Sequence, residues 1–207
     1  VAPLATIRAA RADLEGLAVL RREIQGGLGS ADDQVREICL IAEALALAGS
    51  GAHAEAIEAL VPLARGTLAV YRHYAILGAL ESAVAVGRDD VIDDVVSMVR
   101  ALPPAAATPT IRAHADRFEA LLAGRRGDVD HADSLLTRAA GLLAGVVRPF
   151  ERAKVLLDHG ELLAGSLRHS EAEALLREAA DVFSALRAEP WRVRTERALA
   201  GEGAAAR

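Results

Sequence analysis

The chain has 207 residues, a formal charge of −5 and 52% hydrophobic content, with a mean hydropathy of +0.22. This composition excludes a disordered tail and allows a sizeable buried core. Aromatics make up only 3%, so the apolar fraction is Ala, Leu and Val, the residues of close-packed helices, and an all-α fold is expected. All 24 basic residues except Lys154 are arginine, and they form no run or stripe. Direct contact with nucleic acid is therefore not expected. No apolar run reaches the roughly 18 residues that a membrane span requires, and no signal peptide opens the chain, so a soluble cytoplasmic protein is expected. Cys39 is the only cysteine, which leaves no internal disulfide and no cysteine metal cluster; a buried free thiol is the expectation. With Val1 first and Met98 the only methionine, the chain reads as cut from a longer protein.

In chain order, residues 4–28 read as one long helix within an N-terminal element 1–29. Its apolar positions are Leu4, Ile7, Leu14, Leu17, Leu20 and Ile24, and Gly26 and Gly27 are expected to stop it. It has no hairpin partner before it, and so reads as the trailing helix of an earlier repeat or as a cap. From residue 31 the chain falls into helix pairs. The first covers 31–65, with Asp32 or Asp33 as cap and a break at 49–51. The second covers 67–102, turning at Gly87 and closed by Pro103 and Pro104. The third covers 108–145 with its turn at 124–127, and the fourth covers 149–188 with a break at 166–169. A last helix is expected over 190–200. Ala56, Ile92, Ala132 and Ala172 stand at intervals of 36, 40 and 40 (92 − 56, 132 − 92, 172 − 132), a period that predicts stacked helical repeats.

Small residues set how closely each pair packs. In the fourth pair Gly160, Ala172 and Ala179 sit where two helix backbones must approach, and a larger side chain would push the axes apart. Pro190 ends the unit. In the first pair Ala44 and Ala56 stand twelve apart (56 − 44) with Gly51 between them. This spacing resembles the tetratricopeptide repeat. The fourth pair departs from that pattern at Leu156 and Leu163, where aromatics are usual, and lacks the glycine between its helices. The resemblance implies a right-handed superhelical solenoid of about four antiparallel pairs plus terminal helices, forming one repeat domain over 1–207. It further implies a concave groove lined by Tyr74, Leu77 and Glu81 in the second pair and by Lys154, Leu157 and Glu161 in the fourth. Such a groove takes a protein or peptide partner, or a small effector. Tyr71, His73 and Tyr74 form an aromatic-rich patch that fits either recognition or core packing of Tyr74.

The segments PFERAKVLLDHGELL, AEALLREAADVFSALRAEPW and RVRTERALAGEGAAAR resemble the last repeats of large LuxR-class, MalT-like signal-transduction ATPases. That resemblance covers residues 148–207 and implies the repeat region of a multidomain transcriptional regulator. The sequence carries no G-x-x-x-x-G-K-[ST] phosphate loop and no recognisable helix-turn-helix. It also has no grouping that sets a nucleophile beside a base. His159 and Glu161 make an H-x-E without the cysteines that complete a deaminase zinc site. Asp128, Asp130 and Asp133 start like a calcium loop but lack its glycine and final glutamate. Asp89, Asp90, Asp93 and Asp94 suit a helix start. No cofactor, metal or catalytic residue is therefore expected. The function expected is a signal-receiving, protein-binding domain able to self-associate through its terminal helices, with a freestanding adaptor as the alternative.

Overall fold

The computed structural model describes residues 1–66 and 69–201, with the backbone alone for Ala69 and Val70. Among the described residues the regular structure is entirely α-helical. Contacts gather the helices into two compact units, the first spanning Val1–Leu102 and the second starting at Pro103. The boundary between them falls where Pro103 and Pro104 interrupt the helices. There the Pro103 carbonyl accepts from the Ala106 and Ala107 amides.

The first unit holds α1 (Ala2–Ala10), α2 (Leu14–Leu28), α3 (Asp33–Gly49), α4 (His53–Gly66), α5 (Ala69–Ala85) and α6 (Asp89–Arg100). Helix α3 starts at a side-chain cap, Asp32 accepting from the amides of Gln34 and Val35, which satisfies two donors that the first turn leaves open. It packs against α1, α2, α4 and α5; α4 packs on α5, and α5 on α6. The span 31–65 holds α3 and most of α4, and 67–102 holds α5 and α6, residues 67 and 68 lying outside the described residues.

The N-terminal element departs from its expected form. Instead of one helix over 4–28 there are two, because Ala12 takes a left-handed conformation with φ 54°. Local bonds fix the break: the Asp13 carboxylate accepts from the Gly16 amide at 2.8 Å, and the Arg8 guanidinium donates to the Gly16 carbonyl. Tertiary packing then holds it, since Ala2 and Ala5 of α1 and Leu17, Leu20 and Ile24 of α2 are all buried. Nor do Gly26 and Gly27 stop α2, which runs on to Leu28. A Cβ on Gly27 would lie 2.4 Å from the Cys39 sulfur. The glycine therefore allows α2 and α3 to approach, and Cys39 is buried beneath it.

The second unit holds α7 (Pro109–Arg125), α8 (Val129–Ala144), α9 (Pro149–Gly165), α10 (His169–Leu186) and α11 (Glu189–Leu199). Each helix packs on the next, and α9 also touches α7 and α11. Leu135, Leu136, Ala139 and Leu143 of α8 close with Ala113 and Ala120 of α7 into one apolar cluster. Leu156, Leu157 and Leu163 of α9 close with Ala172, Leu176 and Phe183 of α10 into another. The closest approach in this pair is at Gly160, where a Cβ would stand 2.6 Å from Leu176 Cγ and 3.3 Å from the Ala172 carbonyl oxygen. Ala172 and Ala179 are buried beside it, in the register that the small-residue spacing predicts.

The turns inside the later pairs repeat with the sequence period. Gly87, Gly127 and Leu167 all have positive φ, 69°, 81° and 64°, and follow at intervals of 40 (127 − 87, 167 − 127). Leucine lacks glycine's freedom there, so the fourth pair carries local strain of about 1 kcal/mol at the turn whose glycine is missing.

Candidate functional site

The sequence places three polar side chains, Lys154, Asp158 and Glu161, at helical spacing along α9, a helix that is otherwise apolar on most of its surface. Helices of one unit cover them from two directions. From α7, Arg117 donates through Nε to Asp158 Oδ2 at 2.6 Å. Its side chain is 2% exposed and that of Asp158 1%. From α11, Arg194 donates through Nη2 to Asp158 Oδ1 at 2.8 Å. Its Nε and Nη2 also donate to the Glu161 carboxylate at 2.8 and 2.6 Å. Asp158 is thus shared by two guanidinium groups, one on each neighbouring helix.

An aromatic wall stands beside this charge cluster. Phe150, Phe183 and Trp191 have ring centroids 5.7–5.8 Å apart, with Phe150 edge-on to both others. The Lys154 ammonium lies 4.9 Å from the Phe150 centroid and 5.5 Å from that of Trp191, close enough for a cation–π attraction. Lys154 is buried. Burial works against the charge on Arg194, but attraction to Asp158 and Glu161 outweighs it and raises the Arg194 pKa above its ordinary value.

Burying charges this deeply is a poor source of stability. Their desolvation offsets most of the attraction, while removing one partner leaves the other stranded at a cost of about 3–5 kcal/mol. What the arrangement supplies is direction: Asp158 accepts both guanidinium groups only when α7, α9 and α11 stand in one register. Chemically it is a seat for a helix that presents an aromatic and an arginine three positions apart, here Trp191 and Arg194.

Of the expected groove residues, Lys154 and Glu161 belong to this seat. Leu157 does not: it is fully buried in the α9–α10 core, because its side of α9 faces the partner helix. Leu77 on α5 is also buried, so neither leucine offers its side chain to a ligand. Tyr74 and Glu81 are half-buried on α5, in the other unit, and the Tyr74 ring lies tilted at 40° beside that of His73 with centroids 3.8 Å apart. Arg117, Asp158, Trp191 and Arg194 escaped the sequence reading, although a signal was present. His114, Lys154 and Arg194 follow at intervals of 40 (154 − 114, 194 − 154) on α7, α9 and α11, a spacing that singles out Arg194 among the four.

The acidic motifs resolve into caps and ion pairs. Asp128 caps α8 by accepting from the His131 amide. Asp133 lies 2.6 Å from His159 Nε2 and also takes Arg168. Burial pushes its pKa up, but the bonds to Arg168 and His159 pull it down further, and the net shift is downward. Asp90 pairs with Arg88, which holds its carboxyl at about 2, and Asp94 pairs with Arg65. His159 and Glu161 therefore bond to different helices. No group of three or more metal-ligating side chains comes together among the described residues. Beside the seat, a cleft of about 250 Å³ opens between α9, α10 and α11, with Glu161, His169, Glu173 and Leu176 among its walls. No helix among the described residues is long and apolar enough to cross a membrane.

These features define a class, an all-helical repeat-like protein whose helices pack in adjacent pairs. No protein-family model matches the sequence, and no curated protein is significantly similar to it.

Proposed function

We propose that the chain is a non-catalytic, signal-receiving and protein-binding domain of a multidomain bacterial transcriptional regulator, built as a right-handed tetratricopeptide-like superhelix and working in the cytoplasm. The observation that carries the reading is the seat on α9, which receives a second helix through Trp191 and Arg194. Helical repeats use the same kind of surface to take partner helices and peptides. The 40-residue recurrence of the turns supports the repeat, and the likeness of residues 148–207 to LuxR-class ATPase regulators supports the setting.

The test is affinity capture with the tagged chain in lysate of its source bacterium, partners being identified by mass spectrometry, alongside a Tyr74→Ala/Glu81→Ala variant that keeps its helical circular dichroism. An identified partner that the variant loses, together with a reading frame encoding a phosphate loop and a helix-turn-helix beside this chain, bears the proposal out. The same partner with neither flanking segment makes the protein a freestanding adaptor. Capture that is indifferent to the variant removes the groove from the mechanism.

A further inference from the structure

We infer that the first unit exchanges its N-terminal helix with a second copy of this chain, forming a reciprocal dimer in which α1 and α2 straighten into one helix. Three observations converge on the hinge at residues 11–13.

The first is its conformation. Ala12 has φ 54°, a region that costs an L-residue about 1–2 kcal/mol. The surrounding sequence, RAARADLEGL, has no proline and no glycine before position 16 to require a break. Its residues favour a continuous helix, and a short hinge held under strain is the setting in which helix exchange occurs. The other non-glycine residues with positive φ differ. After Arg187 comes Pro190, which opposes continuation of α10 into α11. Around Leu167 the apolar stripes are already buried, at Leu163 and Leu176.

The second is the seat that α1 occupies. Ala2 and Ala5 are fully buried and Ala9 lies against Gly49, whose Cβ would stand 2.8 Å from that of Ala9. Those contacts are short-range and sterically specific, and an α1 from another copy reproduces every one of them. Exchange therefore forfeits bonds at the hinge, among them those of Asp13 and Arg8 with Gly16, the Asp13 amide to the Arg8 carbonyl and the Arg8–Asp13 ion pair.

The third is the surface that exchange would cover. Leu4, Ile7 and Leu14 are 38%, 47% and 59% exposed. Ile7 and Leu14 are seven apart (14 − 7), two turns along one face of a straight helix, and they flank the hinge almost symmetrically. When two straightened helices cross at a two-fold axis near residues 10–11, Ile7 of each copy meets Leu14 of the other. The bent form leaves this stripe in water, whereas the exchanged dimer buries it.

Light scattering coupled to size exclusion tests the inference on the 207-residue chain, refolded from urea at low and at high protein concentration. The expected result is a dimer that forms at high concentration and persists for hours after dilution, because α1 must undock before the copies part. Ala12→Gly relieves the bent hinge and weakens the straight helix, and each dimer contains two hinges, so this variant should raise the dimer dissociation constant at least tenfold. Leu14→Glu, exposed in the monomer, should also abolish the dimer while leaving the monomer's melting temperature unchanged. A chain that stays monomeric under every refolding condition overturns the inference. So does a dimer whose stability is unaffected by Ala12→Gly, since that dimer associates through some other face.

Discussion

The two units bury different things. In the first, Ser82 is the only buried polar or charged side chain among the described residues. Its helices meet through small apolar contacts such as Leu45 and Leu60 over Gly78, and its ion pairs, Arg21 with Glu43 and Arg65 with Asp94, lie nearer the surface. In the second, Asp116, Arg117, Lys154, Asp158 and His159 are all buried, with Arg138 as well as Arg117 reaching inward to a carboxylate. Apolar contacts hold helices together without fixing their partners, because any well-shaped hydrophobic surface serves. A buried charge accepts far fewer arrangements. The second unit thus gives up stability for a defined placement of α11, and the first does not.

The largest effect separating the units should come from Asp158→Ala, which removes a buried acceptor from both Arg117 and Arg194. It is expected to cost about 3–5 kcal/mol. Trp191, the only tryptophan, reports on the second unit alone, so the urea midpoint of its fluorescence should fall steeply. An unchanged midpoint would show that the charge cluster is not structural.

Next in size is a matched pair of glycine substitutions. A Cβ at Gly160 meets Leu176 at its branch carbon and the Ala172 backbone, whereas one at Gly78 meets the ends of Leu45 and Leu60 at 2.6 and 2.8 Å. Branch carbons and backbone cannot move aside as side-chain ends can. Gly160→Ala should therefore cost about 1–3 kcal/mol, while Gly78→Ala should come close to neutral once the better helix propensity of alanine is counted. Equal losses in thermal unfolding would erase this contrast.

A smaller, opposite effect is expected at Leu167, whose side chain is 79% exposed. Leu167→Gly should stabilise the second unit by about 0.5–1 kcal/mol by supplying the residue that the left-handed turn favours, measurable as a raised melting temperature. The smallest effect is a pH dependence. The folded-state pKa of Asp133 is depressed, so its pairing stabilises the fold above the ordinary aspartate value of 3.8 and is lost as pH falls through the lower folded value. The Trp191 urea midpoint should drop as pH falls below about 4, and by less in Asp133→Asn. An identical slope in that variant would assign the acid sensitivity elsewhere.

Much of this architecture is legible from spacing alone. Apolar period and turn residues locate α3 to α11 within a few positions, and Gly160, Ala172 and Ala179 predict the tight α9–α10 approach because backbone proximity demands small residues wherever it occurs. The break at Ala12 is not legible, since nothing in RAARADLEGL forbids a helix, and the Asp13 and Arg8 bonds that fix the bend act together with the packing of both halves on α3. Leu157 misleads for a related reason: the repeat pattern names a groove position without knowing which face of α9 its partner covers. Asp158 only precedes the H-x-E of His159 and Glu161 and carries no motif of its own. Its actual partners, Arg117 and Arg194, lie 41 and 36 residues away, beyond the reach of any local motif.

That separation in sequence also sets a timetable. Domains tend to fold from the N-terminus as they are synthesised, and helices that touch only their neighbours can form as soon as each neighbour has emerged. The first unit is therefore free to fold while the second is still in the ribosome. Arg117 and Asp158 can meet once α9 is out, but Asp158 acquires its second guanidinium only when α11 follows. Until then Phe150 and Lys154 lack Trp191, so an incomplete chain leaves this aromatic wall open.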